Sequence, residues 1–190
     1  FLAIDPSHRF LYAVNEVGKY KDASSGAVSA FAIDAQKGSG PSGKLQLLNE
    51  VASRGADPCY IAFDKTGKFV LVANYTGGSV AVFPVQPNGH IGEASAFVQH
   101  TGSSVNHERQ EGPHAHFVTF DPAGERVLVN DKGIDQVVRY RLDTSAGKLV
   151  GTLRLGIIHT VAPYLLPDLV PELHAVAPGM PLDIEETLTE

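Results

Sequence analysis

Half of the eight histidines in this 190-residue sequence lie in one short segment, residues 100–116. The ionisable residues of this segment are His100, His107, Glu108, Arg109, Glu111, His114 and His116. Imidazole exchanges protons near neutral pH, so it can act as a general base. Arginine holds phosphate or carboxylate groups through paired hydrogen bonds. The segment is therefore suited to general-base chemistry on an anionic substrate.

Two other interpretations of this segment stay open. The histidine pair at 114 and 116 can simply hydrogen-bond loop carbonyls, with Arg109 and Glu111 as a solvated ion pair. A histidine pair together with a carboxylate can also ligate zinc, but the spacing does not show which residue would complete the ligand set. We expect no metal and no cofactor.

Net charge and composition limit the classes of function. With a net charge of −6 and a pI near 5.7, the chain is poorly suited to a broad electrostatic contact with nucleic acid. The single cysteine, Cys59, excludes an intrachain disulfide and favours a reducing, cytoplasmic location. Apolar runs such as 69–73 are far too short to span a membrane. The oligomeric state is left open.

The elements that must position the histidines follow from an internal repeat. Residues 5–15, 64–74 and 121–131 align without gaps, and each begins with an aspartate, Asp5, Asp64 or Asp121. Each repeat consists of a short apolar strand that ends in the aspartate, a turn with proline or glycine, and a second strand. The spacing of 59 and 57 residues between these aspartates leaves room for two more strands in each unit.

The third strands are predicted at 28–34, 80–86 and 137–143, with Phe31, Phe83 and Tyr140 in the same register. Fourth strands are predicted at 44–51 and 95–99. Four short strands that recur with a fixed period indicate the blades of a β-propeller. The predicted fold is mainly β, with about three four-stranded blades of a partial propeller over residues 1–150, followed by a short β-α-β tail. Asn15, Asn74 and Asp131 end equivalent strands, which favours a structural role for all three.

Residues 1–150 resemble the seven-bladed β-propeller lactonase family, which includes bacterial 6-phosphogluconolactonases. The resemblance rests on residues 12–16, 58–61, 72–80, 100–106 and 108–116, and most specifically on the string Arg-Gln-Glu-Gly-Pro-His-Ala-His that ends at His116. The segment 130–135 departs from the family pattern at Lys132. The resemblance implies a cytoplasmic hydrolase of carbohydrate metabolism that acts on a small anionic lactone, such as the lactone of the pentose phosphate pathway.

Hydrolysis of a lactone requires a base to activate water, a donor for the oxyanion and a cation for the anionic substituent. We expect His114 or His116 to be the base, because residues two apart in a strand point to the same side. Glu111 would orient the base. The predicted catalytic residues are His114, His116 and Glu111, and the predicted substrate-binding residues are Arg109, His107 and Asp131.

The pattern changes over residues 151–190. A strand at 153–158, a helix interrupted by Pro167 and Pro171, and a second strand from Leu182 predict a β-α-β unit. Residues 151–167 and 185–190 resemble the start of the effector-binding domain of LysR-type transcriptional regulators. We therefore expect two incomplete modules, joined near residues 148–152, in a fragment that begins partway through a longer protein.

Three functions are carried forward from the sequence. The first is a lactonase, with this chain itself inactive. The second is a non-catalytic propeller scaffold that binds a partner, and the third is an effector-sensing piece of a transcriptional regulator.

Overall fold

The computed structural model describes residues 1–33 and 43–155 and contains twelve β-strands there. The strands are β1 Leu2–Ile4, β2 Phe10–Asn15, β3 Ala27–Ile33, β4 Leu45–Ala52, β5 Pro58–Phe63, β6 Phe69–Asn74, β7 Ser79–Pro84, β8 Ala96–Gln99, β9 Ala115–Phe120, β10 Arg126–Asp131, β11 Gln136–Asp143 and β12 Lys148–Leu155. They form three four-stranded sheets, β1–β4, β5–β8 and β9–β12, each in chain order. The partial propeller predicted from the repeat is confirmed.

The repeated aspartates close the first hairpin of every sheet. The carboxylate accepts the N–H of the residue five positions later, at 2.7 Å for Asp5, 2.8 Å for Asp64 and 3.0 Å for Asp121. At Asp5, burial opposes ionisation, but bonds from the Ser7 hydroxyl and from backbone N–H groups outweigh it and lower the pKa of the carboxyl. The aspartate is therefore the residue that fixes where one strand ends and the next begins.

The predicted register is also correct. Phe31 lies opposite Leu11, and the equivalent pairs in the other sheets are Phe83 with Val70 and Tyr140 with Val127. The fourth strands predicted at 44–51 and 95–99 correspond to β4 and β8.

The second sheet is covered on both faces, which explains its unbroken apolar sequence. Alternate residues of β6 point to opposite sides. Val70 and Val72 pack in a cluster with Tyr12 of the first sheet, whereas Leu71 packs in a cluster with Val129 of the third. Tyr12 also donates its hydroxyl to the carbonyl of Gly89 at 2.8 Å, and burial raises its pKa to about 12.

The first strands of the sheets lie side by side, because β5 contacts both β1 and β9. Strand β12 runs from Lys148 to Leu155 and pairs with β11 as the fourth strand of the third sheet. It crosses the predicted boundary between residues 150 and 151. The remainder of the predicted β-α-β unit lies outside the described residues, so that boundary stays a prediction.

Candidate functional site

The candidate site lies at one end of the sheets, where first strands begin and second strands end. In the second sheet, the N–H of Tyr75 donates to the carbonyl of Asp57 at 2.8 Å. In the third sheet, the N–H of Lys132 donates to the carbonyl of His114 at 3.1 Å. We call this end of the sheets the rim. The same backbone bond places Asp57 and His114 at equivalent rim positions, as it does Tyr75 and Lys132.

His114 precedes β9 and is buried. Its imidazole stacks on the ring of Tyr75, with centroids 4.6 Å apart and an angle of 14° between the planes. The Nδ1 atom lies 3.2 Å from the Tyr75 carbonyl oxygen, and Nε2 lies 3.5 Å from Oε1 of Glu111. Both ring nitrogens therefore face oxygen atoms of the protein.

His116, the second residue of β9, is exposed. Its ring meets Tyr75 edge-on, with centroids 5.7 Å apart and an interplanar angle of 81°. The sequence placed both histidines on one side of a strand. The structure does bring both imidazoles to the same tyrosine ring, but it buries His114 and leaves His116 open to solvent.

Asp131 ends β10 with a fully buried side chain. One carboxylate oxygen accepts the N–H of His114 at 2.7 Å and that of Gly133 at 3.0 Å. The other lies 2.6 Å from Nδ1 of His100, whose Nε2 lies 2.9 Å from the Tyr140 hydroxyl. The hydrogen bond from the His114 N–H to Asp131 holds the backbone at His114 in place. The predicted role of Asp131 in substrate binding stays a prediction, and the contacts seen are structural.

The alternative ion pair between Arg109 and Glu111 is not found among the described residues, and Glu111 approaches His114 instead. The side chains of His107 and Arg109 are exposed. Within the described residues, neither forms a hydrogen bond or ion pair with the two histidines. Their predicted binding roles stay predictions.

Gln110 holds the segment that carries these residues. Its amide nitrogen donates to the Lys132 carbonyl at 2.8 Å and to Asp135 at 2.6 Å, while its amide oxygen accepts the N–H of Asn106 at 2.9 Å. The side chain is almost fully buried. Residues 101–113 are thereby tied to the turn that follows β10.

Glycine is required where this segment meets its neighbours. A Cβ on Gly133 would lie 2.0 Å from the carbonyl oxygen of Gly112 and 2.6 Å from the His114 nitrogen. Gly78 has a φ of +57°, and a Cβ there would lie 2.4 Å from the Pro113 carbonyl oxygen. Two close backbone approaches, one from each sheet, therefore confine the residues just before β9.

Cys59 lies in β5, two residues after Asp57, and so occupies the position that His116 occupies in β9. Its thiol lies 3.4 Å from the His116 carbonyl oxygen. Burial raises the pKa of Cys59 to about 11, and the nearby charge of Glu16 adds to this. The raised pKa keeps the thiol protonated near neutral pH, which argues against a nucleophilic role for Cys59.

Four residues of the site had no role assigned to them from the sequence, namely Tyr75, His100, Gln110 and Lys132. Tyr75 contacts both imidazoles, and the Lys132 ammonium lies 5.3 Å from the centre of the Tyr75 ring. The alignment of the repeats contained a signal for two of them, since Tyr75 and Lys132 directly follow the aligned Asn74 and Asp131.

Residues 1–33 and 43–155 contain no group of three or more histidines, cysteines, aspartates or glutamates placed to hold a metal ion. In the same part of the chain, no helix has the length and apolar character needed to cross a bilayer.

Three repeated sheets with neighbouring first strands and a histidine-lined rim define a β-propeller with a candidate site at one end. The family described as lactonase, 7-bladed beta-propeller, matches residues 1–158, and the chain belongs to that family. The match gives no support to the LysR-type resemblance of the residues beyond it.

The relatives extend the same picture. The chain is 37% identical to a 6-phosphogluconolactonase of Bacillus subtilis over 75% of its own length and 38% of the relative. A 6-phosphogluconolactonase of Formosa agariphila is 30% identical, over 78% of this chain and 40% of the relative. The chain thus spans about two fifths of the length of these curated relatives.

Solved structures agree with the fold. A Bacteroides fragilis protein provisionally named a 6-phosphogluconolactonase superposes with a TM-score of 0.71 at 34% identity, over 82% of this chain and 43% of the other. The periplasmic gluconolactonase of Pseudomonas aeruginosa gives a TM-score of 0.67 at 32% identity, over 76% and 39%.

Proposed function

We propose that the intact protein hydrolyses a sugar lactone such as 6-phosphogluconolactone, a reaction of the pentose phosphate pathway, at the rim around Tyr75. The observation that carries this proposal is the convergence of His114 and His116 on one tyrosine ring in a chain of the lactonase family. The relatives named 6-phosphogluconolactonase support the substrate class.

His116 is the better placed of the two candidate bases. Its ring is exposed, so a water molecule can reach its nitrogens, whereas both nitrogens of His114 face protein oxygens. His114 instead positions the site, because it holds the Tyr75 ring that His116 contacts edge-on. Glu111 approaches His114 and orients this positioning residue, whereas the sequence predicted that it orients the base itself.

The reaction then proceeds in two steps. His116 removes a proton from water as the oxygen attacks the lactone carbonyl carbon, which gives a tetrahedral oxyanion. The carbon–oxygen bond of the ring breaks, and the protonated imidazole returns the proton to the departing ring oxygen. The product is the open-chain hydroxy acid, and the histidine is regenerated.

The test is the replacement of His116 with alanine in the intact protein. Loss of a general base lowers the rate by a factor of about 100 or more, so kcat for lactone consumption above the spontaneous background should fall by that amount. Cys59→Ala is the matched control, since Cys59 holds the equivalent position in the second sheet, and its turnover should stay near that of the parent.

Unchanged turnover in the His116→Ala variant contradicts the assigned base. If the unsubstituted protein hydrolyses no lactone above background, the lactonase proposal itself is wrong, and the binding scaffold and the effector-sensing piece are the remaining interpretations. The cytoplasmic location and the LysR-type assignment of residues 151–190 stay predictions.

A further inference from the structure

The rim carries an exposed cation, Lys132, whose side chain makes no hydrogen bond to the histidines among the described residues. Lys132 follows β10 directly, and its side chain is exposed. Its ammonium lies 5.3 Å from the centre of the Tyr75 ring, within the range of a cation–π contact. Its backbone N–H is bound to the His114 carbonyl at 3.1 Å, so the position of this lysine is coupled to that of the histidines.

The two carboxylates nearest to Lys132 in the sequence, Asp131 and Asp135, and that of Glu111 all have other partners. Asp135 accepts hydrogen bonds from Ser104 and Gln110. Asp131 accepts two backbone N–H groups and pairs with His100. Glu111 approaches His114. Among the residues that the structure describes, no carboxylate lies within ion-pair distance of Lys132, and its charge is available to an anion from solution.

The Tyr75 ring is the contact that this charge shares with the two histidines. The Tyr75 ring stacks on the imidazole of His114 and forms a T-shaped contact with that of His116. It also makes a cation–π contact with the Lys132 ammonium. A substituent held by the ammonium would therefore lie beside the same aromatic ring as the exposed imidazole. This arrangement around one ring suits a compact substrate that carries both a negative charge and a lactone carbonyl.

The surrounding charge makes this cation decisive. The chain carries a net charge of −6, so an anionic substrate needs a local positive group to approach the rim. Arg109 was the sequence-based candidate, but it lies on an exposed turn with no hydrogen bond or ion pair to the histidines in the described structure. Lys132 is the cation that contacts the Tyr75 ring.

We propose that Lys132 is a specificity residue that selects lactones bearing a negatively charged substituent, an inference that rests on the proposed lactonase function. The ammonium binds the substituent as a point charge and takes no part in proton transfer. It discriminates between substrates rather than accelerating the chemical step.

The test compares a phosphorylated, a carboxylated and an uncharged sugar lactone as substrates of the intact protein. Lys132→Met removes the charge and keeps most of the side-chain length. We expect kcat/KM for the phosphorylated lactone to fall about tenfold or more, since one charge-assisted contact is lost, while kcat/KM for the uncharged lactone changes less than about twofold. A parallel fall for the carboxylated lactone assigns recognition to charge in general, and a fall confined to the phosphorylated one assigns it to phosphate.

Lys68→Met is the matched control, because Lys68 is an exposed lysine in the Asp64 turn at the opposite end of the second sheet. It makes the same change in net charge and should leave the selectivity unaltered. Equal losses for charged and uncharged lactones in Lys132→Met, or no loss at all, overturn the inference and leave the lactonase proposal intact. Absence of hydrolysis of every lactone by the unsubstituted protein overturns both.

Discussion

The second and third sheets share one backbone arrangement at the rim but carry different side chains there. Tyr75 and Lys132 each donate a backbone N–H to the residue that precedes the first strand of their sheet, Asp57 in one case and His114 in the other. The backbone scaffold of the rim is thus repeated, while an acidic position in one sheet is an imidazole in the next. The chemistry of the rim depends on the side chains that each repeat carries.

The polar residues below the rim differ in the same way. In the second sheet, Asn74 donates to the Ser53 carbonyl at 3.2 Å, and its own buried oxygen has no hydrogen-bond partner within the described structure. In the third sheet, Asp131 satisfies two N–H groups and pairs with His100, the residue that corresponds to Ser53. The junction beneath the histidines is therefore the more strongly bonded of the two.

The largest change in the free energy of unfolding should come from replacing Asp131, and a smaller one from replacing Asn74. Asp131→Ala leaves a buried histidine and two N–H groups without their partner, so the free energy of unfolding should fall by about 3 kcal/mol or more. Asn74→Ala removes weaker bonds together with an unsatisfied oxygen and should cost about 1 kcal/mol. Urea unfolding of both variants measures the difference. Equal losses would show that the two junctions contribute alike.

The rate at which the Cys59 thiol is alkylated tests how far position 59 differs from the equivalent position of His116. Since the pKa of Cys59 is raised from 9.0 to about 11, the thiolate fraction near pH 7.5 falls by about 100-fold relative to an ordinary cysteine. Alkylation by iodoacetamide should be slower by about that factor and should accelerate as the pH rises towards 11.

The same chain unfolded in guanidinium provides the control for this measurement. It contains a single cysteine, so the rate reports one site, and unfolding should restore the ordinary rate. A fast reaction in the folded chain near neutral pH would contradict the raised pKa and the partial burial of the Cys59 thiol.

The smallest effect concerns the turns at the opposite end of the sheets. His8 has a φ of +58°, at the position that Gly67 and Gly124 occupy in the other two sheets with φ of +69° and +76°. A side chain at such a φ is strained, whereas glycine loses more freedom on folding. His8→Gly should raise the free energy of unfolding by about 0.5 kcal/mol, and Gly67→Ala should lower it by about 1 kcal/mol. Thermal unfolding measures both changes, and a destabilised His8→Gly variant would contradict the equivalence of the three turns.

The fold could be predicted because its signals are local. Each aspartate bonds to N–H groups within five positions of itself, so the repeat of strand, turn and strand is written in consecutive residues. The core registers follow from the same alignment. The proximity of Glu111 to His114 was likewise accessible, since three positions separate them.

The remainder of the site depends on contacts between sheets. Tyr75 belongs to the second sheet but stacks on a histidine 39 positions later, and His100 pairs with an aspartate 31 positions away. Nothing in the local spacing links such residues. Conversely, the density of ionisable groups around His107 and Arg109 drew attention to side chains that point into solvent. Local density of charge indicates a segment, and the packing of neighbouring sheets decides which of its members meet.

The buried amide of Gln110 has a consequence for access to the rim. A side chain with three hydrogen bonds holds residues 101–113 against the following turn, so the segment forms part of the wall and does not act as a lid. A small molecule bound beside the exposed His116 imidazole would therefore meet a segment that is held in place.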